Sequence, residues 1–237
     1  MKSTAELVLV RHAQSEYNAQ ERFTGWANPA LTDYGEEEAR RAAEILTEAG
    51  YKDFDYAFTS RLVRAADTAK IILNSLPLGS AIKLEADWRL NERHYGDLQG
   101  RKRVDMIAKV GEEQVWRWRR SYEEKPPLLA ENDVRHPKHD KLYADVNAAL
   151  LPSAESLRDT RRRVVKFYNE KVLPRSNAGQ RVLIVAHGNS LRGLLMELSE
   201  MSIAEVEAFE VPTGIPIVCT RTEDQNLEWR YLEKRVA

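Results

Sequence analysis

Two histidines each come directly after an apolar run that is typical of a buried β-strand. His12 follows the sequence ELVLVR, and His187 ends the sequence RVLIVAH. Because parallel strands place their carboxyl ends at one edge of a sheet, the two imidazoles are expected to face each other across a crevice. A third run, YAFT, leads to Arg64, and a fourth segment delivers Glu92. The predicted site therefore combines two imidazoles, one carboxylate and two or more guanidiniums, counting Arg11.

Two kinds of chemistry use histidines together with a carboxylate. The first is a metal site with two histidines and one carboxylate as ligands. The guanidiniums of Arg11 and Arg64 argue against it, because positive charges beside a divalent cation are electrostatically unfavourable. The second is phosphoryl transfer, in which arginines bind the phosphoryl oxygens, an imidazole attacks phosphorus and a carboxylic acid protonates the leaving oxygen. The set of residues favours phosphoryl transfer.

Composition and charge exclude several classes of partner. The chain has 237 residues, with 36 Lys and Arg against 37 Asp and Glu, so no overall field attracts nucleic acid or an anionic membrane. The apolar run Leu7–Val10 is too short for a signal peptide or a membrane span. The single Cys219 cannot form an internal disulfide, which fits a reducing compartment. We therefore expect a cytoplasmic protein with no nucleic-acid or membrane partner.

Strand and helix patterns alternate along most of the chain. The runs at 6–11 and 181–187 are continuously apolar, which favours strands covered on both faces, and weaker strand patterns lie at 56–59 and 81–84. Helical patterns lie at 32–50, with Thr32 as N-cap and Gly50 as the stop, at 64–73 and at 157–172. The alternation predicts a three-layer α/β/α fold with a mostly parallel sheet, in a single domain spanning 1–237.

The stretch from about residue 101 to 152 breaks this alternation. It contains a polar helical segment at 115–122 with three arginines, Arg117, Arg119 and Arg120, followed by Pro126-Pro127 and a loop that lacks strand patterns. We interpret it as a cap-like insertion over the carboxyl ends of the strands, where α/β proteins place their sites.

Several motifs carry a family resemblance. RHAQSEYN at 11–18 resembles the RHGESxWN signature of the histidine phosphatase superfamily. Five further segments resemble the 2,3-bisphosphoglycerate-dependent phosphoglycerate mutases: FTGW at 23–26, LNERHYG at 90–96, WRR at 118–120, HGNS at 187–190 and PTGIP at 212–216. The resemblance extends in order from about Leu7 to about Leu232, and the last motifs are more specific to the mutases than the first.

The resemblance implies roles for individual residues. His12 would carry the phosphoryl group, Glu92 would be the general acid and base, and Arg11, Arg64 and His187 would hold the transferring phosphoryl group. The substrate pocket would be formed by Ser15, Asn18, Thr24, Gly25, Tyr95, Arg103, Arg119, Arg120, Gly188 and Asn189.

The resemblance also implies a fold and an activity. Family members have one α/β domain, assemble as dimers or tetramers, need no metal and are primed by 2,3-bisphosphoglycerate. The expected reaction of glycolysis and gluconeogenesis interconverts 3-phosphoglycerate and 2-phosphoglycerate, both small phosphorylated anions. One alternative is a phosphatase of the superfamily that transfers the group to water. A binding domain on an inactive scaffold is disfavoured, because every catalytic residue type is present.

Four features depart from the family pattern. Ala13 and Gln14 replace the usual Gly and Glu, and an alanine at positive φ would cost roughly 1 kcal/mol or more. Arg103, preceded by Lys102, stands where the family usually has a lysine that binds substrate. Five residues follow Leu232, fewer than in many family members, so we expect a phosphohistidine that is less protected from water.

Overall fold

The computed structural model of the protein describes residues 6–221 and 227–232. One six-stranded sheet has the order β3-β2-β4-β1-β5-β6. The first four strands of that order run parallel, whereas β5 pairs antiparallel with both β1 and β6. The strands are β1 (Glu6–Arg11), β2 (Tyr56–Thr59), β3 (Leu84–Ala86), β4 (Val182–Ala186), β5 (Pro216–Arg221) and β6 (Leu227–Tyr231).

Helices connect and cover the strands. They are α1 (Glu16–Ala19), α2 (Asp33–Glu48), α3 (Val63–Ser75), α4 (Arg103–Val110), α5 (Glu112–Arg120), α6 (Leu157–Phe167), α7 (Leu173–Asn177), α8 (Gly188–Leu198) and α9 (Ile203–Ala208). A π-helical turn, Tyr168–Val172, joins α6 to α7. None of the helices in the described residues is long and apolar enough to cross a membrane.

Alternate residues of the central strands pack into different layers. On β1, Leu7 and Leu9 belong to one apolar cluster together with Val164 of α6 and Leu191 of α8. Val8 and Val10 belong to a second cluster, which contains residues of α2 and α3. The continuous apolar runs therefore reflect burial on both faces of the sheet, and the predicted three-layer α/β fold is confirmed.

The helix predicted at 32–50 begins as predicted and ends slightly earlier than predicted. The hydroxyl of Thr32 accepts a hydrogen bond from the N–H of Gly35 at 3.0 Å, which satisfies one free donor of the first turn of α2. The helix ends at Glu48, and Gly50 follows in the left-handed region with φ 95°.

Two predicted boundaries are wrong, and several elements, among them α4, α7, α9, β5 and β6, were not predicted. The strand pattern at 81–84 is displaced, because Ala81 ends a 3-10 turn and pairing with β2 begins only at Leu84. The helix predicted at 115–122 begins earlier, at Glu112, and ends at Arg120, since Ser121 has an extended backbone with ψ 140°. The short α4 was missed in the segment 101–152. Residues 233–237, on which the expectation about the tail depends, lie outside the described residues.

Candidate active site

The carboxyl ends of the four parallel strands bring the predicted catalytic residues together. His12 follows β1, His187 follows β4, and Arg64 lies in the first turn of α3 after β2. Glu92 follows β3 and a 3-10 turn at Trp88–Leu90. The ring centres of His12 and His187 are 4.9 Å apart, and Nε of Arg64 is 3.3 Å from Nε2 of His12.

The hydrogen bonds of His12 indicate which of its ring nitrogens can attack. Nδ1 lies 2.7 Å from the carbonyl oxygen of Ala13, and a carbonyl can only accept, so Nδ1 carries the proton. Nε2 then has a free lone pair, which accepts from Arg64. Burial, together with the charges of Arg64 and Arg11, holds the pKa of His12 well below its usual value. His12 is therefore neutral, with the nucleophilic lone pair on Nε2.

His187 is a second neutral imidazole beside His12. Its side chain is fully buried, and Nε2 is hydrogen-bonded to the hydroxyl of Ser60 at 2.7 Å. The same hydroxyl accepts the N–H of Leu62 at 3.1 Å, which ties it to the turn after β2. Burial, with the charge of Arg64, lowers the pKa of His187 far below its ordinary value. Because the His187 ring is uncharged, it would not repel the positive charge that develops on the His12 ring when Nε2 forms a bond.

The carboxylate of Glu92 is held by one oxygen and free at the other. Oε1 accepts the backbone N–H of Arg93 at 2.8 Å and that of Asn189 at 3.1 Å. Asn189 belongs to the first turn of α8, so the carboxylate sits at the positive end of that helix. In the described part of the chain, Oε2 makes no hydrogen bond. One oxygen is therefore fixed and the other can exchange a proton with a bound ligand.

A buried ion pair supports the segment that carries Glu92. Arg163 of α6 forms two hydrogen bonds with Glu155, at 2.7 and 2.8 Å. Arg163 also donates to the carbonyl oxygens of Arg89, Asn91 and Glu92 at 2.7 to 2.8 Å. Sequence reasoning missed this pair, because Arg163 stands among other charged residues of α6 and has no motif of its own.

A cavity of about 130 Å³ opens at this edge of the sheet. Seven arginines contribute to its wall but only two glutamates, so it attracts anions strongly. The wall consists of Arg11, His12, Asn18, Arg22, Phe23, Thr24, Gly25, Arg64, Glu92, Tyr95, Arg103, Arg119, Arg120, Gly188, Asn189, Arg192, Glu210 and Val211.

Nine of the ten residues predicted for the substrate pocket belong to that wall, and Ser15 is the exception. Ser15 is fully buried, and its hydroxyl donates to Oδ1 of Asn18 at 2.8 Å while capping α1. The sequence motif places it near the site, where it orients Asn18. Arg103 belongs to the wall whereas Lys102 does not, so Arg103 is the one of these two cations that reaches the cavity.

Ala13 and Gln14 fit their positions without strain. Ala13 does not have a positive φ, unlike Glu21 and Glu200, so the expected cost of an alanine there does not arise. The N–H of Ala13 donates to Thr68 at 3.1 Å. The amide oxygen of Gln14 accepts from the hydroxyl of Thr32 at 2.9 Å, next to the N-terminus of α2.

Three charged residues of the wall were not predicted: Arg22, Arg192 and Glu210. Arg192 lies one turn after Asn189 on α8 and donates to its Oδ1 at 2.9 Å. Helical spacing from HGNS could have identified it, because residues three apart share a helix face. Arg22 directly precedes the FTGW motif. Glu210 has no comparable signal.

The arginines of the wall lie close enough to disfavour one another's charge. Burial lowers the pKa of Arg64 and of Arg192 to about 10. Arg11, Arg103 and Arg120 also have lowered pKa values, first through burial and in part through neighbouring guanidiniums. The Nε of Arg11 is buried and has no hydrogen-bond partner in the described residues. A bound anion with several oxygens would satisfy these groups.

Comparison with known proteins identifies the family. The model of the histidine phosphatase superfamily (branch 1) matches residues 7–232, and the chain belongs to this superfamily. A 2,3-bisphosphoglycerate-dependent phosphoglycerate mutase from Nitratidesulfovibrio vulgaris (strain DSM 19637 / Miyazaki F) is 47% identical over 214 residues, which cover 90% of this chain and 85% of that protein. Both levels of the resemblance seen in the motifs are thereby confirmed.

Solved structures share the fold. The alpha-ribazole phosphatase from Shigella flexneri superposes with a TM-score of 0.70 at 23% identity, over 97% of this chain and 96% of that one. A mycobacterial glucosyl-3-phosphoglycerate phosphatase in complex with VO3 gives 0.68 at 23% identity, over 96% of both chains.

Proposed function

We propose that this member of the superfamily is a phosphoglycerate mutase that interconverts 3-phosphoglycerate and 2-phosphoglycerate. Its phosphoryl carrier would be His12, primed by 2,3-bisphosphoglycerate. The observation that carries the proposal is the neutral His12, whose free Nε2 lies beside Arg64 in a cavity with seven arginines. The relative from Nitratidesulfovibrio vulgaris, which bears this activity in its name, supports it.

The transfer step follows from the positions of the groups. Nε2 of His12 attacks phosphorus, and the bond from phosphorus to the ester oxygen breaks. Glu92 acts as general acid and gives a proton to that leaving oxygen, which becomes the hydroxyl of the product. Arg11 and Arg64 stabilise the charge on the other phosphoryl oxygens. In the return step Glu92 takes the proton of the attacking hydroxyl, and the phosphoryl group passes from His12 to the oxygen of that hydroxyl.

The priming molecule would occupy the same cavity. It would supply the phosphoryl group that comes to rest on His12. Its two phosphates and one carboxylate need cations at both ends of the cavity. Arg11 and Arg64 lie at the sheet edge, while Arg103, Arg119 and Arg120 lie on α4 and α5.

The part of the cavity wall formed by Arg103, Arg119 and Arg120, which we call the far end, favours a mutase over a phosphatase. A phosphatase of simple esters needs only the groups around His12, whereas a mutase must keep a phosphoglycerate bound while it reorients. Arg103, Arg119 and Arg120 provide positive charge for the carboxylate and the second ester position. If the chain catalyses this step of glycolysis, it works in the cytoplasm, and a homodimer or homotetramer is the expected assembly.

A coupled assay of 3-phosphoglycerate conversion tests the proposal. It is run with and without added 2,3-bisphosphoglycerate, in the presence of EDTA. We expect turnover that requires the bisphosphate and is indifferent to EDTA. Release of inorganic phosphate without formation of 2-phosphoglycerate would instead identify a phosphatase. Loss of activity in EDTA would support a metal site.

A further inference from the structure

One arginine of the far end is already paired with a carboxylate of the protein. Arg120, the last residue of α5, forms an ion pair with Glu210. Its second nitrogen donates to the carbonyl oxygen of Phe209 at 3.3 Å. Both partners lie in the connection between α9 and β5, and only Val211 separates them from the PTGIP motif. The guanidinium is thus held by a different element from the one that carries it.

Glu210 is bound loosely compared with the other carboxylate of the wall. The side chain of Glu210 is 70% exposed, whereas that of Arg120 is 18% exposed. Glu92 accepts two backbone N–H groups through one oxygen. In the described residues the Glu210 carboxylate has no partner besides Arg120. A carboxylate in this position is free to leave its arginine when another anion takes its place.

The neighbouring arginine has no such partner. Arg119 belongs to the same helix end and the same wall, yet no carboxylate within the described residues pairs with it. The backbone beneath both residues is fixed, because Arg93 donates to the carbonyl oxygen of Arg119 at 2.9 Å and Arg192 approaches that of Arg120 at 3.4 Å. An exchange at Arg120 therefore requires movement of side chains and not of the helix.

We propose that Glu210 is a specificity-determining residue that occupies Arg120 until a carboxylate of the substrate displaces it. This rests on the proposed function, because it assumes a substrate with a second anionic group. Arg119 is open to such a group at first contact, and Arg120 joins it by exchanging one carboxylate for another. A phosphate ester without a second anion cannot displace Glu210 and gains nothing from Arg120.

The replacement Glu210→Gln keeps the size of the side chain and removes the competing charge. We expect KM for 3-phosphoglycerate to fall about three- to fivefold, the range that an exposed ion pair supports. Hydrolysis of p-nitrophenyl phosphate, which has no carboxylate, should keep its kcat/KM. Glu113→Gln is the matched control, because Glu113 pairs with Arg117 on the same helix at 2.7 Å outside the cavity wall. That variant should leave both substrates unaffected.

A double variant shows whether the effect passes through Arg120. In Arg120→Ala, the further change Glu210→Gln should no longer lower KM. An unchanged or raised KM in Glu210→Gln alone would overturn the proposal, since Glu210 would then be idle or would align Arg120 for the substrate. If the chain hydrolyses esters without isomerising phosphoglycerate, the proposed function fails. Inhibition of p-nitrophenyl phosphate hydrolysis by 3-phosphoglycerate then tests Glu210 separately, with a three- to fivefold lower inhibition constant expected.

Discussion

The two ends of the cavity are built in different ways. At the sheet edge, His12 comes directly after β1, Arg64 lies in the first turn of α3 after β2, and Glu92 is tied to backbone N–H groups. At the far end, Arg119 and Arg120 extend from an inserted helix and are only half-buried. The reacting groups are thus fixed by backbone that cannot move without breaking the core. Of the two arginines proposed to recognise the substrate, Arg120 is held by a side-chain pair that can exchange, and Arg119 has no carboxylate partner in the described residues, which suits a site that must release and rebind its ligand.

The largest effect should follow from removing the proposed nucleophile, His12. Among the described residues, His12 supplies the only imidazole in the cavity wall. In His12→Ala, turnover of 3-phosphoglycerate should therefore fall to the limit of detection. The measurement is the coupled assay with saturating 2,3-bisphosphoglycerate. His139→Ala, on the exposed part of the 121–152 loop, is the control and should retain full activity. Substantial turnover in His12→Ala would show that the sheet edge is not the reacting end.

A smaller but still large effect is expected at the proposed proton donor, Glu92. Glu92→Gln keeps the hydrogen bonds to Arg93 and Asn189 but cannot transfer a proton, so kcat should drop by about 10²- to 10⁴-fold. Steady-state kinetics should show little change in KM, because the carboxylate of Glu92 does not attract an anionic substrate. A variant with near-normal kcat and a weakened KM would place Glu92 among the recognising groups.

The support beneath Glu92 should matter for stability. Glu155→Gln leaves Arg163 buried without its countercharge, and loss of one partner of such a pair costs about 3–5 kcal/mol in the free energy of unfolding. Urea denaturation measures this loss. Glu123→Gln removes an exposed pair with Arg158 at 2.9 Å and should cost less than about 1 kcal/mol. Equal losses in the two variants would mean that the reacting end is not more rigidly supported than the surface.

At the far end, the effect should appear in binding alone. Arg120→Ala should weaken phosphoglycerate binding by about 1.5–3 kcal/mol, the worth of a hydrogen bond to a charged group. Hydrolysis of p-nitrophenyl phosphate should be spared, because that ester reaches only the sheet edge. Parallel losses on both substrates would indicate that α5 supports the reacting groups as well.

Acid should destabilise the folded protein, because three buried histidines have lowered pKa values. Burial lowers the pKa of His94 to about 3, and the pKa values of His12 and His187 also lie well below normal. These side chains titrate near 6.5 when unfolded, so the unfolded chain binds more protons below that pH. The free energy of unfolding should therefore fall as pH decreases through about 6.5, by up to about 1.4 kcal/mol per pH unit for each histidine. Urea titrations on both sides of that pH check it, and a flat profile would contradict the assigned burial.

Sequence reasoning succeeded where a residue lies within a few positions of the end of a strand. His12, His187 and Arg64 could be placed because the apolar runs fix the strands, and parallel strands end at one edge. It was less accurate for the insertion, where α4 was missed and α5 was displaced, because short polar helices have little periodicity to recognise. Arg163 and Glu210 were not found, since their importance depends on contacts between segments far apart in the chain.

The measurement that tests the account most directly is the location of the phosphoryl group on the enzyme. The protein is incubated with 2,3-bisphosphoglycerate, and the adduct is mapped by mass spectrometry and by its stability in acid and base. The account predicts one acid-labile, base-stable phosphoryl group on Nε2 of His12, which disappears when 3-phosphoglycerate or 2-phosphoglycerate is added. A phosphoryl group on another residue, or turnover without any phosphoenzyme, would contradict it.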